Sequence, residues 1–289
     1  MASLKTNKLS STAGVAGRYG SKPSVYLEGE SDVNIYAYRW FRDRRDQLDF
    51  KTPEGATGCT AVRKSVMHEQ ASGIPAFGIL DRDSLQAEKN WGLVWETDDA
   101  AFLRSRPFGE NIRVTLLWEL ESYLVSPPVV EEFLADCERG REPGTKLGET
   151  TAKLLEHATV LTHHAALNSA LHEYSMEQWA DGRTERDSEV QFLAKVQAEV
   201  DKQGLEFQAV YKKQLDKTRL FNPQTPSVEA NLKGLLRRVH GKAMIMRIKE
   251  AANIRDKDTL VYQLASKVKD RGLPDELVGY VDEFCGGTC

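Results

Sequence analysis

Two pairs of acidic residues lie about fifty residues apart in the sequence, Glu28 with Asp32 and Asp81 with Asp83. Each pair directly follows a short apolar run that is typical of a buried strand. Because open α/β sheets bind their ligands at the carboxyl ends of the strands, we expect these side chains at one edge of a sheet. Carboxylates gathered there suit Mg²⁺, which prefers oxygen ligands and keeps waters that a phosphate can share or displace. Phosphate-ester chemistry is therefore the first hypothesis.

Each acid also has a purely structural interpretation. Asp32 could stabilise the N-terminus of the helix that follows Gly29, since a lone acid at a strand-to-helix corner is usually a cap. In the run Asp81-Arg82-Asp83, one aspartate could form a turn and cap the next helix, and the arginine could pair with either acid. Two carboxylates this close repel each other unless a cation neutralises them, and this favours the metal site.

A third acidic pair, Glu119 and Glu121, follows a predicted strand at residues 112–117. This pair places two more carboxylates beyond a strand end. The sequence also contains four scattered cysteines, which form no complete zinc-binding pattern and are expected to be reduced thiols. No apolar run approaches the roughly 20 residues of a membrane helix, and the N-terminus lacks a signal-peptide core, so we expect a soluble, cytoplasmic protein without membrane contact.

The charges are distributed unevenly along the chain. The net charge is −4, yet the segment 205–250 carries ten basic against four acidic residues, whereas the segment 119–201 is strongly acidic. A basic segment can attract a polyanion, although a solvated helix face explains most such runs. Under the nucleic-acid interpretation, two copies of the segment would form a groove, and Arg237 and Arg238 would contact the substrate.

The 289 residues and 40% hydrophobic content are enough for one large domain or two ordinary ones. We predict a flexible N-terminal arm (1–23), an α/β catalytic domain (24–126) and a helical domain (127–289) for assembly and for contact with substrate or partner. Strands alternate with helices in the α/β part, which favours a mainly parallel sheet flanked by helices. The predicted strands are residues 25–27, 48–51, 76–80 and 112–117. The predicted helices are residues 32–45, 59–70, 129–137, 151–174, 189–202, 228–239, 243–252, 260–269 and 276–284.

The Glu-Gly-x-x-Asp corner followed by an Asp-x-Asp strand end resembles the Toprim domain shared by topoisomerases, bacterial primases and OLD-type nucleases. The resemblance covers about residues 24–125. Leu120-Glu121-Ser122-Tyr123-Leu124 and His240-Gly241-Lys242 are similar to elements of the OLD-like branch found in anti-phage systems. Size and layout are most similar to the Toprim effector subunits of PARIS defence systems, which work with an ATPase sensor. The resemblance implies a Toprim-like α/β fold with a helical C-terminal domain.

The resemblance also implies roles for the acidic residues. Glu28 would be a general acid/base or a metal ligand, and Asp81 and Asp83 would bind Mg²⁺, with Mn²⁺ as a substitute. Asp32 would assist at a second metal, where related nucleases often have a glutamate whose reach is longer.

Two further residues come from the later motifs. Glu121 matches the acid before the aromatic-leucine pair and would be another metal ligand, with Glu119 as its competitor. Lys242 would neutralise the scissile phosphate, although a lysine that opens a helix is more often simply exposed.

The implied activity is that of a metal-dependent nuclease, the toxic effector of an abortive-infection system. It would cleave host nucleic acid, with RNA such as tRNA preferred over DNA, and would be a homodimer when active. An ATPase partner would hold it inactive, since the sequence has no Walker A loop of its own. Two alternatives stay open: a primase-like nucleotidyl transferase using the same metal site, and a non-catalytic protein-interaction module whose acids only cap helices.

Overall fold

Four short strands form a parallel sheet in the order β2-β1-β3-β4. The computed structural model describes residues 22–138, 140–179 and 187–286, so the predicted arm (1–23) lies almost entirely outside the described residues. In register, Tyr26 pairs with Gly78, and Leu80 pairs with Val114. The strands are β1 Ser24–Tyr26, β2 Asp49–Lys51, β3 Ala76–Leu80 and β4 Ile112–Val114.

Helices surround the sheet and make up the C-terminal part of the described chain, so the predicted α/β class with a helical C-terminal region is confirmed. The α-helices of the described ranges are α1 Glu30–Ile35, α2 Cys59–Ala71, α3 Asp83–Ala87, α4 Trp91–Val94, α5 Asp99–Arg104, α6 Pro127–Cys137, α7 Leu147–Glu173, α8 Glu189–Lys202, α9 Leu205–Arg219, α10 Val228–Leu235, α11 Gly241–Ala251, α12 Lys257–Arg271 and α13 Asp275–Gly286. A π-helical turn (Tyr36–Trp40) continues α1, and 3-10 helices occupy Arg42–Arg44 and Leu120–Leu124.

The central strand β3 is buried on both faces, as its apolar sequence predicts. Leu80 packs with Val62 of α2 on one face, whereas Ile79 belongs to the main core on the other. Gly78 lets α2 approach closely, because a Cβ at this position would lie 2.9 Å from Val62 Cγ1. The alternation of side chains along β3 therefore places a helical layer on each face.

The C-terminal helices supply much of the second layer. Phe284 of α13 stacks on Phe77 with ring centroids 4.4 Å apart, and the Tyr280 hydroxyl donates to the Val114 carbonyl at 3.0 Å. The Trp40 indole donates to a carbonyl of α12 at 2.9 Å. The main hydrophobic core is thus continuous from the strands into the helical region.

Several elements differ from the sequence predictions, which include no counterpart of the short helices α3, α4 and α5. The predicted helix 32–45 begins at Glu30 and changes to π and then 3-10 geometry, and the predicted strand 112–117 ends at Val114. The helix α9 was not predicted, because its charge-rich sequence was interpreted as a basic segment rather than as one amphipathic element. Within the described residues, every helix is too short or too polar to cross a bilayer.

The predicted nucleic-acid contacts at Arg237 and Arg238 are wrong, because both side chains are buried, with relative exposures of 8% and 0%. The Arg238 guanidinium lies between two indoles, 4.0 Å from the ring centroid of Trp118 and 4.4 Å from that of Trp95. Arg237 forms an ion pair with Asp99 at 2.8 Å. These arginines hold the helical region against the α/β part. The basic residues of this part of the sequence therefore do not imply a positively charged surface.

Candidate metal centre

Three of the predicted carboxylates lie together at the carboxyl edge of the sheet. Glu28 follows β1, Asp81 follows β3 directly, and Asp83 begins α3. One carboxylate oxygen from each lies within 4.8 Å of the other two. Because β1 and β3 are neighbouring parallel strands, the sheet itself brings residues about fifty positions apart to one point.

Backbone hydrogen bonds hold Glu28 in this position. Its Oε1 accepts from the Asp81 amide at 2.9 Å, and its carbonyl accepts from the Gly58 amide at 3.1 Å. Gly58 is the residue before α2, so the N-terminus of this helix lies beside Glu28. The positive end of the helix dipole suits a negative charge there.

Arg82, which separates the two aspartates, does not neutralise them. Its guanidinium is fully buried and donates to the carbonyls of Leu116 at 3.0 Å and Glu96 at 2.6 Å. The side chain therefore points away from the carboxylates on either side of it. The Asp83 amide donates to the Trp118 carbonyl at 3.2 Å, which ties the start of α3 to the segment after β4.

Burial and mutual repulsion raise the pKa values of the clustered acids. The pKa of Asp81 is well above its usual value because of burial and the charges of Asp83 and Glu28. The pKa of Asp83 is raised in the same way by burial, Glu119 and Glu28. Burial also raises the pKa of Glu28 to about 7, partly opposed by the hydrogen bond from Asp81. Each raised pKa indicates that a nearby positive charge would stabilise the ionised carboxylates of this site.

Lys242 brings such a charge to the edge of the cluster. Its Nζ lies 3.9 Å from Oε1 of Glu119 and 3.9 Å from Oε2 of Glu121, with the side chain 55% exposed. The nearby carboxylate of Glu119 is the main cause of a raised pKa, so Lys242 stays protonated. The Lys242 side chain thus lies close to two glutamates and is still partly exposed to solvent.

Gly241 makes this placement of Lys242 feasible. A Cβ on Gly241 would lie 2.3 Å from the Ser122 amide nitrogen, a distance that real structures do not allow. The start of α11 therefore packs directly against the backbone of the 3-10 helix Leu120–Leu124. This close packing explains why the central residue of the motif His240-Gly241-Lys242 is a glycine.

Glu119 and Glu121 have different surroundings. The Glu119 carboxylate accepts from the Lys242 amide at 3.0 Å and lies 3.3 Å from Nδ1 of His240. Although burial opposes ionisation, the hydrogen bond from His240 and the charges of His240 and Lys242 lower the pKa of Glu119 to about 2. Burial raises the pKa of Glu121, whose Oε2 contacts Lys242 Nζ only at 3.9 Å. Glu119 is thus bound to the start of α11, whereas Glu121 keeps one longer contact, and neither belongs to the group of three carboxylates.

His240 is a site residue that the sequence did not identify, since no zinc-binding spacing includes it. Its ring packs edge-on against Trp118, with centroids 5.8 Å apart, and orients Glu119. The available sequence signal was its position directly before Gly241 and Lys242.

Asp32 lies outside the group of three carboxylates. Its Oδ2 accepts from the Gly29 amide at 3.0 Å, and Ser31 Oγ donates to its Oδ1 at 3.2 Å. These contacts match the capping interpretation of Asp32. Burial nevertheless raises its pKa, and it acts electrostatically on Glu28.

The donor set fits a hard divalent cation. It consists of carboxylate oxygens that are close together, partly buried and not paired with Arg82. Asp81 and Asp83 would hold the ion, with Glu28 beside them, whereas Glu121, like Asp32, lies outside this group. Oxygen ligands of this kind suit Mg²⁺ and Mn²⁺.

Comparison with known protein families finds no matching family model, and comparison with curated proteins finds no significant match. The fold and the site define the molecule at the level of class: an α/β protein with a cluster of partly buried carboxylates at the carboxyl edge of a parallel sheet.

Proposed function

We propose that the chain is a Mg²⁺-dependent phosphodiester hydrolase that cleaves nucleic acid, with Mn²⁺ as a substitute ion. The observation that carries this proposal is the group formed by Glu28, Asp81 and Asp83, whose ligand atoms lie within 4.8 Å of one another. The raised pKa values of the three acids indicate that holding their ionised side chains together is electrostatically unfavourable. Clusters of perturbed acids in one place are typical of functional sites.

The residues of the centre have distinct roles in this mechanism. A bound divalent cation supplies polarisation of the phosphate and activation of water. Asp81 and Asp83 would hold the ion position, and Glu28, whose carboxylate lies beside both, would accept the proton of the attacking water. The Lys242 ammonium, exposed on one side, offsets negative charge on the phosphate. His240 and Glu119 fix the start of α11, so they position Lys242.

The wider proposal rests on the resemblance to Toprim effectors of PARIS-type systems. The chain would be the toxic component of an abortive-infection response in the cytoplasm, held inactive by an ATPase sensor subunit and active as a homodimer after release. RNA such as tRNA is the preferred substrate, because the sequence has no motif that reads a DNA groove. The absence of a Walker A sequence supports a separate ATPase.

The test is a cleavage assay with the purified full chain, end-labelled bulk tRNA and duplex DNA, in Mg²⁺, Mn²⁺ or EDTA. We expect new RNA ends with either metal and none in EDTA. Asp83→Asn should lower the rate by about a hundredfold or more. Asp46→Asn, an exposed aspartate outside the centre, should leave the rate unchanged. Equal cleavage by Asp83→Asn, or cleavage in EDTA, contradicts the proposal.

The alternatives give different results in the same preparation. A nucleotidyl transferase would lengthen a primed template when nucleoside triphosphates are added, instead of shortening RNA. An interaction module would show no Mg²⁺ binding by calorimetry, since a scaffold does not need the ion.

A further inference from the structure

A cavity lies against the 3-10 helix Leu120–Leu124. Ser122 and Tyr123 line this cavity, whereas Glu121 of the same helix contacts Lys242. Its volume is about 510 Å³, which is in the range of small-molecule sites. The walls are mainly leucine side chains from four parts of the chain: Leu103, Leu116, Leu117, Leu232, Leu236 and Leu273.

One carboxyl group projects from these apolar walls, that of Glu276 at the start of α13. Its Oε1 accepts from the Leu116 amide at 2.6 Å and from the Tyr123 hydroxyl. Its Oε2 has no hydrogen-bond or ion-pair partner among the described residues. Burial raises the pKa of Glu276 to about 7. The group is fixed through one oxygen and leaves the other free for a donor.

The rim of the cavity is negatively charged. Asp99, Glu229 and Asp275 lie around it, with Lys233 as the basic residue among the lining side chains. Asp99 already pairs with Arg237 at 2.8 Å, but Glu229 and Asp275 are exposed. An anionic ligand would meet repulsion here, and a cationic ligand would be attracted.

We propose that this cavity binds a small organic cation, an amidinium, guanidinium or protonated amine attached to an apolar body. The apolar body would fill the space between the leucines, and the cationic head would donate to Oε2 of Glu276. Charge-assisted hydrogen bonds of this kind are among the strongest in proteins. The inference concerns a site separate from the metal centre and does not depend on the proposed nuclease activity.

Benzamidine, which combines a planar amidinium with a phenyl ring, is a suitable probe. Isothermal titration calorimetry on the full chain would compare it with benzamide, a neutral molecule of the same shape, and with benzoate. We expect benzamidine to bind about tenfold or more tightly than benzamide, and benzoate not to bind. Equal binding of benzamidine and benzamide, or binding of benzoate, overturns the proposal.

Variants locate the binding. Glu276→Gln keeps the size and the acceptor oxygen of the side chain but removes its charge, so benzamidine should bind about tenfold less tightly. Lys233→Ala removes an exposed, competing cation at the rim and should tighten binding about two- to threefold. Glu132→Gln, a carboxylate of α6 paired with Lys267 and outside the cavity, should have no effect. Unchanged benzamidine binding in Glu276→Gln overturns the proposal.

The metal centre is itself acidic and could attract the same probe. The double variant Asp81→Asn/Asp83→Asn separates the two sites, because it removes two charges from the centre and none from the cavity. We expect benzamidine affinity to be unchanged in this variant. A loss of binding would assign the cation to the metal centre and overturn the proposed cavity site.

Discussion

Asp81 and Asp83 are partly buried carboxylates that share no ion pair with a basic side chain in the described part of the chain. Arg82 between them donates to backbone carbonyls instead. Folding therefore brings two like charges together out of water, and their pKa values rise. The usual interpretation of such acids as helix caps would require only one of them.

Asp81→Asn or Asp83→Asn should weaken Mg²⁺ binding and raise stability in metal-free buffer, since each variant removes one repelling charge. The expected increase in Tm is about 2–4 °C in EDTA at neutral pH. The folded pKa values lie above the usual 3.8, so the wild type should lose stability in EDTA as the pH rises from about 4 through those values. The loss should be smaller in either variant.

Calorimetric titration with Mg²⁺ and thermal melts across pH check this prediction. The matched control is Asp46→Asn, which should behave as wild type in both measurements. Unchanged Mg²⁺ affinity together with a lower Tm would instead support a capping role for the substituted aspartate.

The strand-end carboxylates could be found from the sequence because apolar strands followed by acids form a local pattern. The different surroundings of Glu119 and Glu121 could not be predicted from the sequence, because they depend on His240 and Lys242, which lie about 120 residues further along the chain. The capping role of Asp32 depends only on neighbouring residues, so the sequence could suggest it as one of two interpretations. The structure adds the hydrogen bond from the Gly29 amide to the Asp32 carboxylate.

At the level of elements, the contact between α11 and the 3-10 helix Leu120–Leu124 determines the shape of the centre. Gly241 has no room for a side chain, because Ser122 occupies the space that a Cβ would need. The same contact places the Lys242 amide on Glu119. Displacing α11 would move the lysine and the carboxylates relative to one another.

Gly241→Ala should therefore destabilise the fold by about 1–3 kcal/mol through overpacking and also reduce any Mg²⁺-dependent cleavage. Gly279→Ala is a matched control in α13, where a Cβ would meet nothing within 4 Å. Replacing this exposed helical glycine should stabilise the protein by about 0.5–1 kcal/mol. Denaturant unfolding of both variants checks the pair. Equal effects of the two substitutions would show that the close contact at Gly241 is not rigid.

Most long helices and the strands β1, β3 and β4 could be predicted because their periodicity or apolar runs are local, whereas the signal for β2 (Asp49–Lys51) is weak. The short helices α3, α4 and α5 could not, since they have fewer than two turns and depend on contacts such as those of Arg82 with the carbonyls of Leu93 and Glu96. The π-helical turn Tyr36–Trp40 is likewise set by packing, because Trp40 is fully buried against α12.

At the level of the whole molecule, the distribution of charge on the surface differs from its distribution along the sequence. Arg237 and Arg238 belong to the interior, so they cannot form a nucleic-acid groove. The exposed basic residues of the segment include Lys212, Lys213 and Arg219 on α9. This helix is the better candidate for contact with a polyanion.

Lys212→Glu/Lys213→Glu should weaken RNA binding, with the slope of log K against log salt concentration reduced by about 1.4 for two lost contacts to single-stranded RNA. Mg²⁺ affinity should be unchanged, because neither residue belongs to the centre. Fluorescence anisotropy with labelled tRNA at several salt concentrations checks the prediction.

The control for this experiment is Lys153→Glu, an exposed lysine on α7. It should have a smaller effect on both affinity and salt slope. If the two variants behave alike, RNA binding depends on overall charge and not on the face of α9.

The centre also has a consequence for the synthesis of the protein. Glu28, Asp81 and Asp83 leave the ribosome before Lys242, which follows Asp83 by roughly 160 residues. At about 5–20 residues per second, an incomplete centre persists for roughly 8–30 s during translation. A nascent or prematurely terminated chain therefore carries the carboxylates without the lysine and without α11. Under the proposed function, the order of the residues would keep the centre incomplete until Lys242 and α11 have been synthesised.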